Sequence, residues 1–146
     1  MSQRINIKKL APAGYAAVVG LENYLTTTRL SPLHHELVRI RASQINGCTY
    51  CIDKHTQDAI AQGASIRQLF ALTNWGETDF FTEEEQAILA VTEEVTLIPQ
   101  GLSDETYARA ARVFDEEYLA QLIMAVIVIN AWNRIGVSTH MKPALH

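Results

Sequence analysis

The feature that most limits what this chain can fold into is its punctuation: residues suited to start a helix stand ahead of stretches with apolar side chains at helical spacing. Ser31-Pro32 reads as an N-cap followed by a first-turn proline, and Leu33, Leu37, Ile40, Ala42 and Ile45 follow it. Thr82-Glu83-Glu84-Glu85 is a capping-box pattern ahead of Ile88, Leu89, Val91 and Val95, and Pro99 closes that helix. Ser103 opens a helix near 104–113, and Asp115 opens a long one reaching about 135. Pro12 suits the first turn of a helix of roughly 12–28 carrying Tyr15, Val18, Val19, Leu21, Tyr24 and Leu25. Asn46-Gly47 stops the second helix, a third runs from Cys48 or Thr49 to Gly63, and Ser65 caps a short fourth through Leu72. No strand alternation accompanies these signals; VIVIN alone has that look. The expectation is an all-α, single-domain bundle of about seven helices over residues 1–146, without internal repeats.

Composition narrows the function classes. The chain has 146 residues, 48% hydrophobic and 19% charged, which suits one ordinary globular domain with its own core. A net charge of −4, with only Lys8-Lys9 and Arg39/Arg41 close together, argues against nucleic acid as a partner. The longest apolar run, Leu119 to Trp132, is interrupted by Gln121 and Asn130 and falls short of the ~20 residues of a bilayer span, so no membrane partner is expected. The N-terminal MSQRINIKKLAPAG has no apolar signal region, and a cytoplasmic, reducing location is the default expectation.

Both cysteines lie in NGCTYCIDKHTQDAIAQG, residues 46–63. On a helix beginning near Gly47, Cys48, Cys51 and His55 share one stripe. Cys48 then sits at the helix N-terminus, where free N–H groups and the macrodipole favour a thiolate over a thiol of reference pKa about 8.5. His55 lies one turn beyond Cys51, in reach as proton acceptor or donor. Hairpin arithmetic adds a fourth residue. Glu36 stands about 11 residues before the Asn46-Gly47 bend and His55 about 8 after it, roughly 16 and 12 Å away at ~1.5 Å per residue. A carboxylate at that level orients the imidazole as the third group of a triad does. Three readings of the pair stay open on these grounds: a redox centre, two structural thiols, or a zinc clip of Cys48, Cys51 and His55. The clip lacks a fourth ligand unless His34, His35, His140 or His146 arrives from elsewhere. His34 and His35 read as surface or packing residues, Trp75 and Trp132 as core or interface packing, and Tyr50 as a cover pointing away from the stripe.

The spacing Glu36-x11-Cys48-x2-Cys51-x3-His55 resembles the alkylhydroperoxidase AhpD-like, carboxymuconolactone decarboxylase family. The similarity runs through ELVRIRASQINGCTYCIDKHTQDAIAQGAS, LTNW, FFTEEEQAILAVTEEVT and NAWNRIGV, about residues 10–137. It implies an AhpD-like helical bundle, a homo-oligomer (trimer or hexamer), and peroxide reduction by the C-x-x-C pair. It also implies a thiol or dithiol donor, in some systems a lipoylated protein, with no haem, flavin or metal. By resemblance the proton relay maps onto Glu36, Cys48, Cys51 and His55 as catalytic residues. The best-studied members carry histidine immediately before the second cysteine; here Tyr50, with a pKa near 10, is a poor base at neutral pH. True lactone decarboxylases generally lack the cysteine pair, so its presence argues against decarboxylation. A disulfide reductase or oxidant sensor on the same scaffold is the nearest alternative. Cys51 is favoured as the attacking thiol because the adjacent base serves both proton transfers.

Overall fold

A computed structural model describes residues 2–145, and among these every regular element is helical. In chain order they are α1 (Ile7–Leu10), α2 (Pro12–Leu25), α3 (Pro32–Asn46), α4 (Thr49–Ala61), α5 (Ile66–Ala71), α6 (Glu83–Thr96), α7 (Asp104–Val113) and α8 (Glu116–Thr139). Single 3-10 segments follow α5 (Leu72–Glu77) and α6 (Ile98–Gln100).

The caps act as their residue types require. Ser31 accepts from the His34 N–H, Ser103 from Thr106 and Asp115 from Tyr118. At α6 the Thr82 hydroxyl takes the Glu85 N–H at 3.2 Å while the Glu85 carboxylate takes the Thr82 N–H at 2.8 Å, closing the capping box. The four-residue α1 was not expected, because no apolar periodicity marks it; an Asn6 side-chain cap on the Lys9 N–H organises it instead.

α3 is the central element. One side places Val38 and Ala42 against α8 and α6 (Leu122, Val126, Ile129, Ile88, Val91), while the other places Leu37 and Ile40 against Ala59, Leu69, Leu72, Phe81 and Leu89. Burial on both sides fixes where α3 begins and ends, and with it the turn into α4. The 24-residue α8 is long and apolar enough, by length and composition alone, to cross a membrane. Here Leu119, Leu122, Ala125, Val126, Val128 and Ile129 lie buried in the bundle, while Ile127 and Val137 remain exposed.

Candidate active site

The turn between α3 and α4 builds the cysteine site. Gly47 takes the left-handed conformation (φ 69°, ψ 29°), which costs glycine nothing, and it ends α3. The next N–H, that of Cys48, then folds back to the Ser43 carbonyl at 3.0 Å, and Cys48 becomes the N-cap residue of α4. Cys51 follows in the first turn and the two sulfurs are joined as a disulfide, with Cα atoms 5.3 Å apart. Both residues are buried, as are Glu36 and His55.

The antiparallel packing of α3 and α4 sets Glu36 Oε2 3.0 Å from His55 Nδ1. An ionised carboxylate only accepts hydrogen bonds, so Nδ1 carries the proton and Nε2 is left as the free acceptor. Glu36 Oε1 in turn accepts from Arg39 at 2.8 Å, Arg39 also pairs with Glu22, and Glu22 Oε2 accepts from the Trp132 indole at 3.0 Å. Burial pushes the Glu36 carboxyl upward, but the His55 hydrogen bond and the Arg39 guanidinium more than offset this and hold it below the usual range. The carboxylate therefore stays ionised in a buried place, which an isolated one would not.

Cys51 and His55 line a cavity of about 220 Å³ together with Tyr15, Tyr50 and Trp132. Tyr50, read as a cover pointing away from the stripe, lines the same cavity as Cys51 and His55. Trp132 packs against the core, as expected, and also gives the cavity an aromatic wall set edge-on to Tyr15 with ring centroids 5.3 Å apart. Trp75 does pack against the core, and its indole donates to Glu93. His34 bonds Tyr118 at 2.8 Å, away from the cysteines. His35 is buried near Glu36 and Arg39, and its Nε2 has no hydrogen-bond partner among the described residues. Burial first, then the Arg39 charge, takes its pKa down to about 4.

Sequence reasoning missed Gly136. A Cβ at this position in α8 would lie 2.8 Å from Cys48 Sγ and 3.7 Å from Cys51 Sγ, so the disulfide occupies the space of the absent side chain. The available signal was a glycine inside a long apolar helix, where it sacrifices ~1 kcal/mol against alanine and often marks a close approach. Asparagines hold α8 in that register: Asn46, next to the cysteine turn, donates to Asn130 at 2.9 Å and Asn133 at 3.0 Å, and Asn133 donates to Ser43 at 2.9 Å.

As for a zinc clip, both thiols are tied up in the disulfide, His140 lies by Cys48 in a separate cleft, and His146 is outside the described residues. Glu36, His55 and Asp58 do bring ligand atoms within 4.8 Å of one another, but the Arg39 cation, 2.8 Å from Glu36, opposes a dication there.

Fold and site together define an AhpD-like helical protein with a disulfide-forming C-x-x-C pair. The chain belongs to the carboxymuconolactone decarboxylase family, whose sequence profile matches residues 12–94. It is 39% identical to the uncharacterized protein YdfG of Bacillus subtilis (strain 168) over 145 residues, 99% of each chain. A solved structure from Agrobacterium tumefaciens, of a protein of unknown function described as a candidate antioxidant defence protein AhpD, superposes with a TM-score of 0.96 at 32% identity. That match covers 99% of this chain and 100% of the other. The debrominase Bmp8 shares the fold at a TM-score of 0.82 and 20% identity, over 92% of this chain and 73% of that one.

Proposed function

We propose that this protein is a thiol-dependent hydroperoxide reductase that cycles Cys48 and Cys51 between dithiol and disulfide. The observation that carries the reading is a cysteine pair already at bonding distance, beside a cavity whose histidine is held through Nδ1 by a buried, charge-balanced carboxylate. In the reduced protein His55 Nε2 takes the Cys51 thiol proton, and the resulting thiolate attacks the distal peroxide oxygen. The O–O bond breaks, Cys51 becomes a sulfenic acid, and the departing alkoxide takes a proton from His55 and leaves as alcohol. Cys48 then attacks the sulfenic sulfur, expels hydroxide that departs as water, and closes the disulfide. An external dithiol, free or on a lipoylated protein, supplies two hydrogens and restores the pair. Glu36 keeps the His55 tautomer fixed, with Nε2 left to exchange the proton, and Arg39 balances the Glu36 charge. This cycle uses no haem, flavin or metal. The antioxidant description of the Agrobacterium protein agrees with it.

We also propose a homo-oligomer, a trimer or hexamer, because Ile127 leaves apolar surface on α8 and Phe70 is 84% exposed. Light scattering at micromolar concentration tests it, and a stable monomer counts against it. Steady-state consumption of cumene hydroperoxide with dithiothreitol as donor tests the activity. Cys48→Ser and Cys51→Ser should each abolish turnover; wild-type rates in both variants would show that the pair is not the reactive centre. Disulfide cycling without peroxide turnover would instead support a disulfide reductase or sensor.

A further inference from the structure

Two openings reach the disulfide, and each meets a different sulfur. The 220 Å³ cavity is lined by Cys51 and His55 but not by Cys48. An open cleft of about 600 Å³ is lined by Cys48 but not by Cys51. Its walls are the start of α4, Val137 and His140 at the end of α8, and the tail from Met141 to Leu145. Gly136 and Met141 belong to both linings and form the partition between them. Resting on the peroxide-reducing reading of the pair, we infer that the two substrates use opposite sides of the disulfide: the peroxide reaches Cys51 through the aromatic cavity, and the reducing dithiol reaches Cys48 through the cleft walled by the C-terminal tail.

The chemistry of exchange favours this division. An incoming thiolate attacks a disulfide in line, with the leaving sulfur behind the attacked one. A thiolate arriving through the cleft meets Cys48 with Cys51 on the far side. The new bond joins the donor sulfur to Cys48, the S–S bond breaks, and its electron pair goes to Cys51, which emerges as a thiolate in the cavity it shares with His55. The donor's second thiolate then attacks the donor sulfur of the mixed disulfide and closes the donor disulfide. Cys48 is expelled as a thiolate, and the two donor protons end on the protein thiols. Cys51 is left facing the peroxide entrance, so neither cysteine changes sides between the half-reactions. Attack through the cavity at Cys51 would expel Cys48 instead, on the side away from His55.

The tail makes the cleft selective. Cys48 is only 2% exposed although it lines the cleft, so the wall beside it restricts access. That wall is lightly held: among the described residues the last tail hydrogen bond is from the Met141 N–H to the Gly136 carbonyl at 2.9 Å, and Lys142, Ala144 and Leu145 are exposed. The mainly apolar walls (Val137, Met141, Pro143, Leu145) suit a dithiol on an apolar chain.

The half-reactions can be timed separately by stopped flow. In the first, oxidised protein meets dithiothreitol without peroxide; in the second, reduced protein meets cumene hydroperoxide without donor. Val137→Trp fills the cleft from an exposed helix position and should slow the dithiothreitol step at least ~5-fold, leaving the peroxide step within ~2-fold of wild type. A stop after Met141 removes part of the wall and should speed the dithiothreitol step at least ~3-fold, again sparing the peroxide step, which excludes unfolding as the cause. Ile135→Trp, on the cavity side, should do the reverse of Val137→Trp. The inference is overturned if both tryptophans slow both steps, since one entrance then serves both substrates, or if only Ile135→Trp slows the dithiothreitol step. It is also overturned if no variant alters that step. Should wild-type protein leave cumene hydroperoxide unreacted, the peroxide reading fails, whereas the dithiothreitol arm still decides which side the thiol uses.

Discussion

Replacing Gly136 by alanine puts one methyl group where the disulfide already lies. The added Cβ would meet Cys48 Sγ at 2.8 Å, about 0.7 Å inside an ordinary contact of ~3.5 Å. Overpacking of this kind costs about 1–3 kcal/mol. The two redox states bear that cost unequally. In the disulfide, Cys48 Sγ is tethered to Cys51 and has nowhere to go; in the dithiol it turns about χ1 to another staggered position. At ~1.4 kcal/mol per 30 mV for a two-electron couple, the disulfide should become more oxidising by about 20–60 mV. Alanine also gains ~1 kcal/mol over glycine inside a helix, but it does so in both states and cancels from the potential. The reduced Gly136→Ala chain should therefore be more stable than reduced wild type, while the oxidised chain should be equal or less stable. Equilibration in dithiothreitol redox buffers, with maleimide mass tagging to count thiols, reads the potential; urea unfolding of each state reads the rest. A potential within about 10 mV of wild type, with both states gaining stability equally, would mean that the missing side chain does not set the geometry of the pair.

Further predictions concern the relay and its neighbour. Glu36→Gln removes the negative charge between His55 and Arg39, and peroxide turnover should fall about tenfold or more with an altered rate–pH profile; an unchanged profile would take Glu36 out of the relay. Arg39→Met leaves Glu36 buried without its cation and should destabilise the chain by about 3 kcal/mol, read as a lower urea midpoint; an unchanged midpoint would contradict the charge balance described for this site. His35, with a pKa of about 4 in the folded chain and 6.5 in the unfolded one, refuses a proton that the unfolded chain accepts. Stability should fall as pH drops from ~6.5 to ~4, by about 2–3 kcal/mol in all, and be unaffected above that window. His35→Leu should flatten this slope in urea midpoints at pH 8 and 4.5; an unaltered acid slope would place its origin elsewhere.

How far the sequence foretold this arrangement depended on the range of the interactions. Ser31, Thr82, Ser103 and Asp115 cap where their types imply, because a cap needs only the next three residues. The approach of Glu36 to His55 was legible for a related reason: one tight turn joins their helices, so counting residues from Gly47 sets their levels. The third helix closes where Gly63 implied: its last residue is Ala61, Gln62 is the C-cap, and Gly63 follows at φ 88°, the left-handed position that a glycine supplies. The roles of Glu22, Trp132 and Gly136 were hidden, because each depends on how α2 and α8 dock across the bundle, and no local rule carries that over some 80 to 110 residues of chain. His35 looked like a surface or packing residue because it shares the first turn of α3 with His34; only the packing shows that it is buried near Arg39 with Nε2 unpaired among the described residues.

The most direct test of the account is a single turnover. Reduced protein, freed of donor, is mixed with one equivalent of cumene hydroperoxide, and thiols, protein mass and product alcohol are counted together. The account predicts one alcohol formed and two thiols lost per chain, with the mass lower by two hydrogens and the bond mapped to Cys48–Cys51. Intact peroxide with both thiols still titratable would contradict it.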